Sequence, residues 1–411
     1  MKDVKNIRID DFRYELPEDR IALFPLDERD ASKLLVYERG TITSAVYRDL
    51  SSFLKKDSLL VMNNTKVVEA RFLFTKPTGS VIEVFCLEPS QHQPIDEGLN
   101  AKGKVRWHCM VGGLAKWKDP VLSIQLDIKG RSVRLEAHIA ERKGSVIEIE
   151  FSWDDDTLTF SDIMSMAGYV PLPPYLHRQA VESDALRYQT VYASQRGSVA
   201  APTAGLHFTE RLLNELSVKG IDIAHLTLHV GAGTFLPVKS ETMSGHEMHK
   251  EWIHVELSFL EDLIEKSAKD LIAVGTTSLR TLETLFWMGV KAIHQPEAHL
   301  KTLEIQQWDP YEIPADDIDK NKALTALIDR MQKEGRSTLT CTTQLLIAPG
   351  YEIRMADAIL TNFHQPGSTL LLLVAACIGD DWRKVYQYAL DNQYRFLSYG
   401  DGSLLWCNKT S

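Results

Sequence analysis

Cysteine is scarce in this chain of 411 residues, with five in all at Cys86, Cys109, Cys341, Cys377 and Cys407 and no close CxxC pair. That number and spacing fit neither a disulfide framework nor a cysteine-based zinc site, and they predict reduced thiols in a cytoplasmic protein. Long hydrophobic runs are missing too. The longest, Leu370 to Gly379, is about half of what a bilayer-spanning helix needs, so no membrane insertion is expected. Met1 to Asp11 is charged and lacks the apolar core of a secretory signal. There is no basic excess either: 46 basic against 56 acidic residues give a net charge of −10. This excludes a protein coated in positive field. It does not exclude a nucleic-acid ligand, because a local basic patch can supply the phosphate contacts. Internal repeats and long low-complexity tracts are absent. What remains, 44% hydrophobic and 25% charged residues, is the composition of a folded protein of two to three domains at roughly 150 residues each.

Between about Arg71 and Trp153 the pattern is period-two alternation. It runs through Val81–Leu87, Lys104–Val111, Leu122–Ile128, Ser132–Ile139 and Ser145–Phe151, with turn residues between. Short strands at regular spacing predict a small all-β barrel or sandwich, inserted into a larger α/β domain formed by residues 1–70 and 154–411. In that larger part Ser58–Met62 reads as a buried strand, and Ile221–Val230 and Leu271–Gly275 as further strands. Thr209–Val218 reads as a helix; Thr277 or Ser278 would cap another through Met288, and Ser368 a third through Ile378. The polar stretch from Gly289 to about Ser337, with a helix at Lys322–Lys333, is expected to be a surface excursion.

Four loops rich in small and polar residues follow strands. The first carries Thr203, Gly205 and His207, and the second places His229 before Gly231 and Gly233. The third, Val274-Gly-Thr-Thr-Ser-Leu-Arg, opens a helix whose free amides suit a carboxylate or phosphate. The fourth, Thr361-Asn-Phe-His-Gln-Pro-Gly-Ser, leads His364 towards a further helix. Taken one at a time, each also fits a plain turn, an N-cap or a structural histidine. His246, His249 and His254 invite a metal, but two and four intervening residues are not the HExxH spacing, and no metal is expected. Gly168–Arg178 and Arg187–Tyr192 interleave tyrosines with cations, as proteins that hold unstacked RNA bases do. Lys102, Lys104, Arg106, Lys116 and Lys118, with Trp107 and Trp117, form an acid-free basic stretch; its bland equivalent is a solvated strand face.

Together these segments resemble one family, the S-adenosylmethionine:tRNA ribosyltransferase-isomerases of queuosine biosynthesis. The matching blocks include Tyr14-Glu-Leu-Pro, Val61-Met-Asn-Asn-Thr-Lys-Val-Val, Gly168 to Arg178, Gly197 to Thr209, Leu226 to Val238, Gly275-Thr-Thr-Ser-x-Arg-Thr-Leu-Glu, Thr361-Asn-Phe-His and Ser398-Tyr-Gly-Asp. The resemblance implies an α/β fold, a larger barrel-like α/β domain interrupted by a small β-barrel domain. It implies S-adenosylmethionine as co-substrate and, as partner, a tRNA anticodon loop carrying 7-aminomethyl-7-deazaguanine; a monomer is compatible with it. The ribosyl group would move to the aminomethyl nitrogen and isomerise to an epoxycyclopentanediol, with adenine and methionine leaving. A base must take an acidified C5′ proton and an acid should assist adenine. Histidines of near-neutral pKa suit both, and His207, His229, His246, His249 and His364 lie in the matching blocks. Gly231, Gly233, Gly275, Thr276, Thr277, Ser278, Arg280 and Ser368 are expected at the co-substrate, with Arg280 and the amides after Gly275 on the methionine carboxylate. Tyr175, Arg178, Tyr188 and Gln189 are expected at the RNA bases.

Three departures stand out. Gln365-Pro366-Gly367 replaces an expected Leu-Pro-Lys, Gly402-Ser403 replaces Ala-Met, and the stretch from Gly289 to Ser337 lengthens the chain. They leave open a paralogue using S-adenosylmethionine on another base or small molecule, or a non-catalytic tRNA- or nucleoside-binding protein.

Overall fold

The computed structural model describes residues 4–90, 93–128, 130–144, 146–231, 238 and 240–408. Two large sheets account for most of the strands. The first has nine, in the order Thr338–Thr343, Glu251–Glu256, Asp222–His229, Ser58–Asn63, Asp270–Val274, Ala358–Asn362, Gly402–Trp406, Lys33–Glu38 and Thr41–Val46. Its centre is parallel: Asp222–His229, Ser58–Asn63, Asp270–Val274 and Ala358–Asn362 run side by side. Parallel strands covered on both faces need continuous apolar sequence, and every residue of Ser58–Asn63 is buried. Period two then divides the strand between two cores. Leu59 and Val61 face one, Leu60 and Met62 the other.

The second sheet is antiparallel throughout, ordered Gly168–Tyr169, Arg71–Thr75, Val81–Pro89, Lys104–Gly112, Val146–Trp153, Arg131–Lys143 and Leu122–Ile128. All five alternating segments of the sequence lie in it, except that Ser145, the first residue of the fifth, lies outside the described residues. A helix, Phe160–Ala167, with a Thr159–Asp162 capping box, and the strand after it join from beyond residue 153. Trp107 and Trp117 are buried in its core, so neither offers a face to a base.

Local signals placed several helices well. Glu210–Val218 starts after Thr209, whose hydroxyl accepts from Leu212 N–H at 3.1 Å, and Thr369–Ile378 after Ser368 in the same way at 3.2 Å. The surface excursion is a correction. The helix expected to stop at Met288 runs from Thr276 to His294. Gly289 is no terminator: a Cβ there would lie 2.0 Å from the Ala323 carbonyl oxygen, so glycine permits close crossing of the Lys320–Lys333 helix. That second helix buries Ala323, Leu324, Leu327, Ile328 and Met331 in the main core, and Thr338–Thr343 becomes a sheet edge.

The thiols bring a second correction. Cys377 and Cys407 form a disulfide across 30 residues of sequence, because the Thr369–Ile378 helix ends beside the segment following Gly402–Trp406. Close-pair spacing cannot reveal such a partnership. Cys86, Cys109 and Cys341 are free and buried. Among the described residues no helix is long and apolar enough to cross a membrane.

Candidate active site

A cleft opens at the carboxyl ends of the central parallel strands, where loops leaving a sheet commonly bind ligands. Val230 follows one strand, Gly275 to Thr277 the next, and Thr361 to Ser368 the third; the Ala200–Ala204 loop and Tyr175 close the side. Among the described residues no lysine, arginine, aspartate or glutamate lines it. Its polar groups are hydroxyls, amides and one imidazole.

Each wall has a local cause. Gly275 has φ +90°, a left-handed conformation that glycine adopts without strain, and the 19-residue helix behind it begins with no side-chain cap. Its first amides therefore face the cleft uncapped, which suits an anion. Asn63 ties this corner together, bonding the Leu228 main chain through both its oxygen and its nitrogen and donating to Thr277 Oγ1 at 3.3 Å. On the opposite side two tyrosines grip the His364 main chain. Tyr14 donates to its carbonyl at 2.5 Å and its N–H donates to Tyr386 at 3.0 Å. The His364 ring meets Thr361 Oγ1 at 2.9 Å through Nε2.

Of the residues expected from sequence, the cleft gathers Gly275, Thr276, Thr277, His364, Ser368, Tyr175 and Tyr188. His207 stands just behind it, 3.3 Å from the Nδ2 of Asn362, whose Oδ1 accepts from Thr203. Tyr47 stacks on the His207 ring at 4.2 Å between centroids. His229 is buried against Thr65 Oγ1 at 3.0 Å, outside the cleft. His246 is half-buried and His249 exposed, neither at the cleft. No group of three or more metal-ligating side chains occurs among the described residues.

Other expected contacts are engaged elsewhere. Arg280 is buried and paired with Glu251, whose other oxygen accepts from Gly231 N–H at 3.2 Å. Ser278 bonds Val274 O within the helix start at 2.8 Å. Gly233 lies outside the described residues. Arg178 forms two bonds to buried Asp184, at 2.6 and 2.8 Å, and Gln189 pairs its amide with the Val67 main chain at 2.9 and 3.0 Å. Tyr188 is fully buried, so it presents no open face for stacking. The segment Thr361–Thr369, expected from sequence to line the co-substrate site, brings Thr361 and Asn362 to the cleft as well, whereas Ser398 is a cleft residue that sequence reasoning gave no role. Tyr47 was missed entirely, since nothing in its neighbourhood distinguishes it from a core aromatic.

The expectation of near-neutral histidines is also corrected. Burial pushes His207 and His364 down to about 3 and His229 to about 4. Burial, with the neighbouring His249 second, lowers His246 as well. The three buried rings are neutral at pH 7.

Over residues 9–405 the sequence matches the family described as "Queuosine biosynthesis protein". The chain belongs to that family. A relative from Chlorobaculum parvum is 36% identical, with 97% of this chain and 100% of that protein covered. One from Halothermothrix orenii is 37% identical over the same shares. Both are named S-adenosylmethionine:tRNA ribosyltransferase-isomerase. A crystal structure of an S-adenosylmethionine tRNA ribosyltransferase from Thermotoga maritima is 27% identical, covers 96% of this chain and 99% of its own, and has a TM-score of 0.46.

The departures from the expected family pattern have definite places. Gln365 lines the cleft, whereas Gly367 turns away to pack near Ile9 and Arg13. Gly402 lies under Tyr47: a Cβ there would meet its ring edge and hydroxyl at 2.7 Å. Gly402→Ala is therefore expected to push Tyr47 off His207 and to cost about 1–3 kcal/mol as overpacking. Turnover would check the first effect and thermal melts the second. An alanine variant with wild-type Tm and rate would show that the stack has room to spare.

Proposed function

We propose that this protein transfers the ribosyl moiety of S-adenosylmethionine to 7-aminomethyl-7-deazaguanine at the tRNA wobble position and isomerises it, releasing adenine and methionine. The observation that carries this is a family match spanning residues 9–405, with relatives of one name covered end to end. A cleft lined by no charged side chain among the described residues, with uncapped helix amides, suits a co-substrate that brings its own charges. The methionine carboxylate lies at the amides after Gly275, beside the hydroxyls of Thr276 and Thr277. Its ammonium and sulfonium need no protein anion.

His364 is the histidine that lines the cleft, so it takes the proton-transfer role. Neutral imidazole can accept the C5′ proton that the sulfonium acidifies, and the bound carboxylate supplies a counter-charge for the imidazolium formed. That imidazolium is acidic enough to pass its proton to the departing purine. His207 acts at one remove, by holding Asn362.

Incubation with S-adenosylmethionine and tRNA bearing the aminomethyl precursor should release adenine, whereas tRNA lacking it should not. No adenine from the precursor tRNA would sink the proposal. Binding of that tRNA should also weaken steeply as salt rises, despite the net charge of −10, because local phosphate contacts govern counterion release. Lys102, Lys104, Lys116 and Lys118 are exposed and available for such contacts. Affinity that is flat from low to moderate salt would remove them from consideration.

A further inference from the structure

Behind the cleft, on the other side of Ser398, lies a second and much narrower pocket. Arg29, Arg187, His207 and Tyr399 line it, with Pro25 and Leu26 at the side. Its charge is unusual for this neighbourhood. Nearby Arg178, Arg211 and Arg395 each hold a carboxylate, of Asp184, Asp30 and Asp401 respectively. Arg29 instead donates to the carbonyls of Gln189, Leu206 and Leu186, at 2.9, 3.1 and 2.9 Å. Arg187 donates to those of Asp27 and Leu26. Among the described residues neither forms a salt bridge.

Carbonyl dipoles fix the two guanidiniums without cancelling their charge. Like charges held around one cavity repel, and an oxyanion between them would relieve that cost with charge-assisted hydrogen bonds. Arg187 also keeps a buried Nε–H with no partner. Both a co-substrate carboxylate and an RNA phosphodiester have this chemistry.

The surface beside the cavity favours RNA. On the same Leu23–Arg29 segment, Leu23 is 44% and Phe24 52% exposed. The Arg178 guanidinium lies 4.1 Å from the Phe24 ring centroid, backing it and holding Leu23 O. A half-exposed aromatic backed by a cation is a stacking surface for an unpaired base. A carboxylate buried in the cavity would make no use of it.

We propose that Arg29 and Arg187 bind a backbone phosphate of the tRNA loop in this cavity while the adjoining unpaired base stacks on Phe24. This rests on the tRNA reading above. The test uses the full chain with precursor tRNA in filter binding over a salt series, and with S-adenosylmethionine alone in calorimetry. Phe24→Ala, an exposed change that leaves the core intact, should weaken tRNA about tenfold, while Phe24→Trp should retain it. Arg187→Gln should lower the slope of log affinity against log salt by about 0.7–0.9, one phosphate contact. Neither Phe24→Ala nor Arg187→Gln should change co-substrate affinity.

Loss of S-adenosylmethionine binding in Arg187→Gln, with tRNA binding untouched, would assign the cavity to the carboxylate and overturn the proposal. Unchanged tRNA binding in both Phe24→Ala and Arg187→Gln would overturn it as well. Wild-type protein that binds no precursor tRNA and releases no adenine would instead overturn the tRNA reading itself.

Discussion

Mild acid should unfold this protein while most of its carboxylates are still ionised. Burial holds His207, His229 and His364 neutral, at about 3, 4 and 3, whereas in an unfolded chain each titrates near 6.5. The unfolded state therefore binds more protons below that value. The stability these rings allow is whole above about pH 6.5 and is lost as pH falls from there towards the folded values. Within that window each ring costs about 1.4 kcal/mol per pH unit, and the three together about 4. Total stability is commonly only about 5–15 kcal/mol. Urea unfolding at pH 7, 6 and 5 should accordingly report uptake of about three protons by the lower end. His364→Gln should reduce that uptake by about one. Wild-type uptake below one proton would show that the rings are reached by water.

Arg280→Ala should lose about 3–5 kcal/mol of stability, the usual penalty for taking one member from a buried ion pair. Both Arg280 and Glu251 are buried and they bond directly, so the change removes a charged partner from a desolvated carboxylate. Replacing both, as Arg280→Met with Glu251→Leu, should recover most of the loss because the desolvation cost of both ions disappears. Urea midpoints of the three proteins would measure this. A single variant that melts like wild type but no longer binds S-adenosylmethionine would place the guanidinium on the ligand instead.

These two expectations rest on contacts that lie beyond the reach of sequence reasoning. The alternating strands and the caps at Thr209 and Ser368 are legible because their causes lie within a few residues: side-chain alternation for one, a hydroxyl three positions from an amide for the other. The hydroxyl-rich turn at Gly275 and the loop at His364 were legible as candidate sites for the same reason. Arg280 was legible as a cation but not as an occupied one, since Glu251 sits 29 positions away. Gly289 looked like a break because a glycine in sequence does not reveal the neighbouring backbone that requires it. Arg29 and Arg187 are 158 positions apart in the numbering and share a cavity only after folding. Near-neutral histidines were expected because burial, the cause of their shifts, belongs to the tertiary structure.

The sheet order also constrains how the molecule comes into being. Gly402–Trp406 lies between Ala358–Asn362 and Lys33–Glu38, with Leu34 opposite Gly402. The hairpin of Lys33–Glu38 and Thr41–Val46 is thus made early in translation, yet its place beside the sheet is supplied by a strand far later in the sequence. Chains emerge N-terminus first, and early segments that await distant partners expose apolar surface meanwhile. Tyr47, which follows the hairpin and packs over Gly402 and His207, must wait with it. A chain cut short before residue 402 therefore lacks the strand that completes the wall behind its own cleft.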